Sequence, residues 1–123
     1  MSGIHEFGYR TPRFRADFHF LLQTEGPESR VLDARCIDIS EEGLAAQIAE
    51  HLSVGTRVVL ILTLPGHSTT LRIIARVSNR TDEDHGFAFV FASKHEREDV
   101  QRYISSLHAE AARLTFRPHG HAF

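Results

Sequence analysis

The chain has 123 residues, of which 41% are hydrophobic and 24% charged. That is room for one domain with a modest core and not for two. The formal net charge of -2 excludes the broad positive field of a general nucleic-acid binder. No apolar run reaches the length of a membrane span, so no membrane insertion is expected. The opening Met1-Ser2-Gly3-Ile4-His5-Glu6 has neither the charged start nor the apolar centre of a secretory signal. A cytoplasmic protein is therefore the expectation. Cys36 is the one cysteine, which rules out an intrachain disulfide.

In chain order, residues 1–12 hold Gly3, Gly8 and Pro12 without a period and read as a flexible arm. From Arg13 the pattern alternates. Phe14, Ala16, Phe18, Phe20 and Leu22 share one face, and Arg13, Arg15, Asp17 and His19 the other, which predicts a half-buried strand. Glu25-Gly26-Pro27-Glu28 is a turn. Val31–Ile39 is the second strand and Gly43–Ile48 a short third. Val58–Leu64 is almost continuously apolar and is expected to be covered on both sides. After a turn at Pro65-Gly66-His67-Ser68, alternation resumes through Leu71, Ile73, Ala75 and Val77. Asp82-Glu83-Asp84 marks an acidic turn, and Gly86–Phe91 is the last strand.

The period then changes. Val100, Tyr103, Ile104, Leu107, Ala111 and Leu114 recur at helical spacing. Ser93 followed by Glu96 forms a capping box at the start. Residues 115–123 read as a loose tail. Six short strands followed by one amphipathic helix predict a mainly β protein, a six-stranded antiparallel barrel spanning residues 13–114 with its helix. The helix would cover one open end or one flank.

Two clusters carry candidate chemistry. Asp38-Ile39-Ser40-Glu41-Glu42-Gly43 groups a carboxylate acceptor, a hydroxyl and a glycine between two strands. Ahead of it, Arg10, Arg13 and Arg15 supply guanidinium forks suited to phosphates and purine faces. Read alone, the first cluster is an Asx-type turn, and the arginines are solvated side chains or ion-pair partners of Asp17 or of glutamates.

The order of these parts resembles the PilZ domain over roughly residues 8–110. That family carries Arg-x-x-x-Arg before the first strand and Asp/Asn-x-Ser-x-x-Gly after the second. The second motif is intact as Asp38, Ser40 and Gly43. In the first, Arg13 takes the place of the second arginine, Tyr9 stands where the first belongs, and Arg10 is one residue away. The resemblance implies a six-stranded barrel in a bacterial signalling protein that binds cyclic di-GMP. The implied ligand-binding residues are Arg10, Arg13, Asp38, Ser40 and Gly43. Ser40 would donate to a phosphate or fix the turn, and Gly43 would give the backbone an approach that a Cβ obstructs. It also implies an adaptor whose arm orders on nucleotide binding and signals to a downstream protein partner. The alternative is a degenerate PilZ-fold interaction module that binds no nucleotide.

The nine histidines are scattered without cysteine or carboxylate at zinc-ligand spacing, so neither a metal nor a cofactor is expected. His85 and His95 read as surface residues, and Arg72, Arg76 and Arg80 as a solvated stripe. Ser40 lacks a nucleophile-elbow setting or a nearby histidine, and no phosphate-binding loop is present. An enzyme is the least favoured class.

Overall fold

The computed structural model describes residues 13–63 and 70–115. The expected arm at 1–12, the turn at 65–68 and residues 116–123 of the expected tail lie outside the described residues. Six strands follow one another: β1 (Phe14–Thr24), β2 (Val31–Ile39), β3 (Gly43–Ile48), β4 (Arg57–Thr63), β5 (Thr70–Arg80) and β6 (Asp84–Phe89). One helix, α1 (Lys94–Thr115), completes the described chain. The strands form a closed barrel in the order β1-β2-β3-β6-β5-β4, every pairing is antiparallel, and β4 returns to β1 through Leu21↔Ile61 and Leu22↔Leu60. Closure gives every strand two neighbours, which limits the edge open to pairing with another chain.

Alternation decides which side chains fill the interior. Phe18, Phe20 and Leu22 of β1 point inward, against Ala34 and Cys36 of β2, Leu60 and Leu62 of β4, and Ile73 and Ala75 of β5. Each fully buried Leu or Phe contributes about 1.5–3 kcal/mol over leaving it in water. Phe14, Phe89 and Phe91 are partly buried and pack around this centre. β4 departs from expectation. Val58, Leu60 and Leu62 are buried, but Val59 and Ile61 are only half-covered. A closed barrel has one interior, and alternation puts Val59 and Ile61 on its outer face. The acidic turn is also shorter than its composition indicates, because Asp84 already belongs to β6.

The helix covers the barrel with Val100, Tyr103 and Ile104, which join the same buried cluster as the strand residues. The Tyr103 ring meets Phe18 edge-on at 6.3 Å. Its first turn is capped as predicted: Ser93 Oγ accepts the Glu96 N–H at 3.2 Å. The Glu96 carboxylate reaches back one residue beyond the cap and accepts from the Ala92 N–H at 2.7 Å. Arg97 lies over the Phe91 ring at 4.8 Å, which pins the entry to the helix. No helix among the described residues is long and apolar enough to cross a membrane.

Candidate ligand-binding site

The site is built by a break in register. From Ala34 to Cys36, the even-numbered residues of β2 face the core. Unbroken alternation would send Asp38 inward too. Instead the pairing shifts between Cys36 and Asp38, so that Cys36 stands opposite Ala46 while Asp38 stands opposite Ala45. Ile37 is the extra residue of this bulge. After it, Ile39 takes the inward position and Asp38 turns outward. A second shift occurs on β1, where Arg15 faces Asp38 and Phe18 faces Cys36. Over one short stretch the three strands therefore advance from Arg15 to Phe18, from Cys36 to Asp38 and from Ala45 to Ala46. Such unequal spans force the sheet to bend sharply and open a groove on its outer side.

That groove measures about 450 Å³ and is lined by Arg15, Asp17, Arg35, Ile37, Gln47 and Asp84 among others. A second depression of about 490 Å³ continues from it, shares Arg35 and Gln47, and ends at His51, Asp82 and Glu83. Arg15 and Arg35 border the first part together with Asp17 and Asp84, and carboxylates and histidines border the second.

Arg13, at the entrance to β1, donates from Nε to Asp38 Oδ1 at 2.9 Å and closes a second bond from Nη2 to the same oxygen. Both side chains keep solvent access, 45% for Arg13 and 30% for Asp38. The structure therefore joins the two motif fragments directly, 25 residues apart in sequence. Asp38, and not Asp17 or a glutamate, is thus the carboxylate that holds Arg13. Asp17 instead receives Arg35, from Nε at 2.8 Å and from Nη2 at 3.0 Å. Hydrogen bonding and charge from Arg35 hold the Asp17 carboxyl below the usual carboxylate range and raise the Arg35 guanidinium in turn.

Ser40 and Gly43 stand on the other side of the same corner, and their groups are engaged within the protein. Ser40 is 1% exposed. Its Oγ accepts from the Glu42 N–H at 3.1 Å and approaches the Gly43 carbonyl at 3.4 Å, while its N–H donates to that carbonyl at 2.8 Å. Of the two roles open to this hydroxyl, it performs the turn-fixing one. A Cβ on Gly43 would stand 2.1 Å from the Phe87 carbonyl oxygen of β6. The approach that requires glycine is between β3 and β6. The corner is tied further by Phe89 N–H to the Glu42 carbonyl at 2.9 Å, and to the helix by Gln101 Nε2 donating to Glu41 at 3.1 Å. Arg10, the remaining predicted site residue, lies outside the described residues, as does Tyr9.

Cys36 lies beneath the groove. Burial, reinforced by the charge of Asp38, pushes its thiol up to about 12, so it stays protonated and unreactive. Among the described residues no three His, Cys, Asp or Glu side chains converge as a metal site. His85 is buried rather than exposed, 1% accessible, with Nε2 accepting the Leu52 N–H at 3.0 Å. Its parity with Phe87 on β6 was the signal for this. Asp17 and Arg35 were also missed as groove residues. Both occupy outward positions of neighbouring strands, and alternation alone identifies them as sharing a face.

A small closed antiparallel barrel, capped by a C-terminal helix and carrying Asp-x-Ser-x-x-Gly at a bulged β2–β3 corner, defines the class. The family model for the PilZ domain matches residues 9–106, and the chain belongs to the PilZ domain family. Solved structures agree in fold. The PilZ domain with c-di-GMP of YcgR from Escherichia coli superimposes with a TM-score of 0.73 at 21% identity, over 86% of this chain and 95% of that one. The PilZ domain of CeSA from a cellulose-synthesizing bacterium gives 0.68 at 19% identity, over 80% and 99%. YcgR from Escherichia coli in complex with c-di-GMP gives 0.68 at 25% identity, over 86% of this chain but only 48% of that longer one. A search of curated proteins by sequence returned no match.

Proposed function

We propose that this chain is a receptor for cyclic di-GMP that passes the signal to a protein partner. The observation that carries the reading is the bulge at Ile37, which turns Asp38 outward against Arg13, across from Arg15 and beside the groove that Arg15 and Arg35 line. A cyclic dinucleotide presents two phosphates and two guanines. Guanidinium groups bind the phosphates through charge-assisted hydrogen bonds and stack on the purine faces. The Asp38 carboxylate, an acceptor only, suits the N1–H and amino donors of guanine. In this reading Arg13 exchanges part of its bond to Asp38 for a phosphate oxygen, while Ser40 and Gly43 hold the corner in shape.

Arg10 then adds a cation once the ligand draws the segment ahead of Arg13 onto the barrel, and Tyr9 adds a stacking surface. That rearrangement would alter the surface offered to a partner, converting differential affinity into a change of state. Titration calorimetry with cyclic di-GMP tests the proposal. Wild type should release heat, and Arg13→Ala and Asp38→Ala should each abolish it while circular dichroism stays native. No heat from wild type would leave the barrel as a module working through protein contacts alone, the reading that Tyr9 in place of an arginine favours.

A further inference from the structure

The arginines of the described chain are not equally available. Arg13, Arg30, Arg35, Arg57 and Arg102 are held by carboxylates. Arg72 donates to Gln23 and Arg97 covers Phe91. Arg15 is different. It is exposed, lines the groove, and stands directly across from Asp38 in the β1–β2 register. Among the described residues no hydrogen bond or ion pair engages its side chain. Among the described residues the Arg76 and Arg80 side chains are likewise unengaged, but they lie on β5, which the strand order places away from β2.

We propose that Arg15 is a phosphate-binding residue of this site, and that Asp17 tunes it by keeping Arg35 engaged in the same groove. The inference rests on the cyclic di-GMP reading and names the contacts that complete it. One guanidinium, Arg13, is already shared with Asp38 at the corner. A ligand with two phosphodiesters needs a second cation within the groove, and the sequence offers tyrosine where the family motif has its first arginine. Arg15 points outward across from Asp38, ahead of the bend that opens the groove, and binding an anion there breaks no side-chain bond to another described residue. Arg35 lies farther along with its Nε and one Nη committed to Asp17. A phosphate reaching Arg35 must compete with that carboxylate, so Asp17 lowers affinity without touching the ligand.

Calorimetry on the full chain with cyclic di-GMP separates the possibilities. Arg15→Gln is expected to weaken binding tenfold or more, the order of one charged hydrogen bond. Arg76→Gln removes the same charge from another wall and should leave affinity within about twofold, because solvent and salt screen a distant exposed charge. Asp17→Asn should tighten binding several-fold by releasing Arg35, a gain that a merely structural role for Asp17 would not produce. Arg15→Lys, which keeps the charge but loses the fork, should fall between wild type and Arg15→Gln. Wild-type binding with Arg15→Gln unchanged, or with Arg76→Gln equally weakened, overturns the assignment of Arg15 and leaves the receptor reading standing. Failure of Asp17→Asn to tighten binding overturns the tuning role. Absence of binding by the wild type overturns both the inference and the receptor reading.

Discussion

The two halves of the Asp38–Gly43 corner serve opposite purposes. On the outer half, Asp38 and Arg13 are solvent-accessible and meet each other in a pair that a ligand can enter. On the inner half, Ser40 and Gly43 are buried, and their hydroxyl and backbone groups serve the turn and the β3–β6 contact. A motif written as one string thus divides into an outward half, which the receptor reading gives to the ligand, and a base for the fold. The bulge at Ile37 draws the dividing line. The two halves should therefore fail differently when altered, one in affinity and the other in stability.

The largest expected effect falls on the inner half. Gly43→Ala puts a carbon 2.1 Å from the Phe87 carbonyl, and backbone on both sides must move. A loss of about 2–4 kcal/mol is expected, the range of overpacking with backbone displacement, read as a drop of about 10 °C or more in thermal midpoint. Gly86→Ala is the matched contrast, since its added carbon meets only the side-chain amide of Asn79 at 2.7–2.9 Å, which is exposed and can turn aside. Its midpoint should fall by much less. Equal losses in the two variants would deny Gly43 its special position.

Next comes the outer half. Asp38→Ala should cost under about 1 kcal/mol in stability, because its partner pair is exposed to solvent, yet weaken cyclic di-GMP at least tenfold in calorimetry. A stability loss comparable to that of Gly43→Ala would mean that Asp38 belongs to the base and not to the ligand face. Ser40→Ala is the smaller, inverse case. It removes the acceptor of the Glu42 N–H in a buried turn, worth about 1 kcal/mol, and should lower the midpoint by a few degrees. Affinity, measured well below that midpoint, should stay within a few-fold of wild type.

Much of this was legible beforehand. β2 and β3 begin and end where the alternation and turn residues place them, and the barrel, its closing helix and the Ser93 cap follow from period alone. What alternation does not announce is a break in itself. Nothing in the composition around Ile37 says that β2 gains a residue there, so the outward turn of Asp38 and the groove beside it appear only when three strands are laid in register. The same limit explains Arg13. A 25-residue separation is closed by strand pairing, whereas proximity in sequence favoured Asp17. Gly43 was legible as essential but not for its reason, because the carbonyl it must avoid belongs to a strand more than forty residues later.

The smallest predicted effect lies outside the corner and tests whether the buried His85 of β6 is independent of it. His85 is buried and stacked on Phe87, with its Nε2 accepting the Leu52 N–H. That bond requires the neutral ring with its proton on Nδ1, since an imidazolium only donates. Burial first, then the facing charges of His51 and Arg80, lowers its pKa below the ordinary histidine value, against a weaker opposing pull from Asp84. As pH falls through about 6.5 the unfolded chain therefore takes up a proton that the folded chain refuses. Stability declines over that window and levels off once pH passes the lowered folded value. Asp17 and Glu50, held low by Arg35 and Arg30, withdraw their contributions only in more acid solution, so the two ranges separate. The thermal midpoint should be lower at pH 5.5 than at pH 7.5, and His85→Gln, which keeps an acceptor for Leu52 without titrating, should flatten that slope. A slope that survives the substitution would assign the acid sensitivity elsewhere. A change in cyclic di-GMP affinity on His85→Gln would show that His85 and the Arg13–Asp38 face are coupled after all.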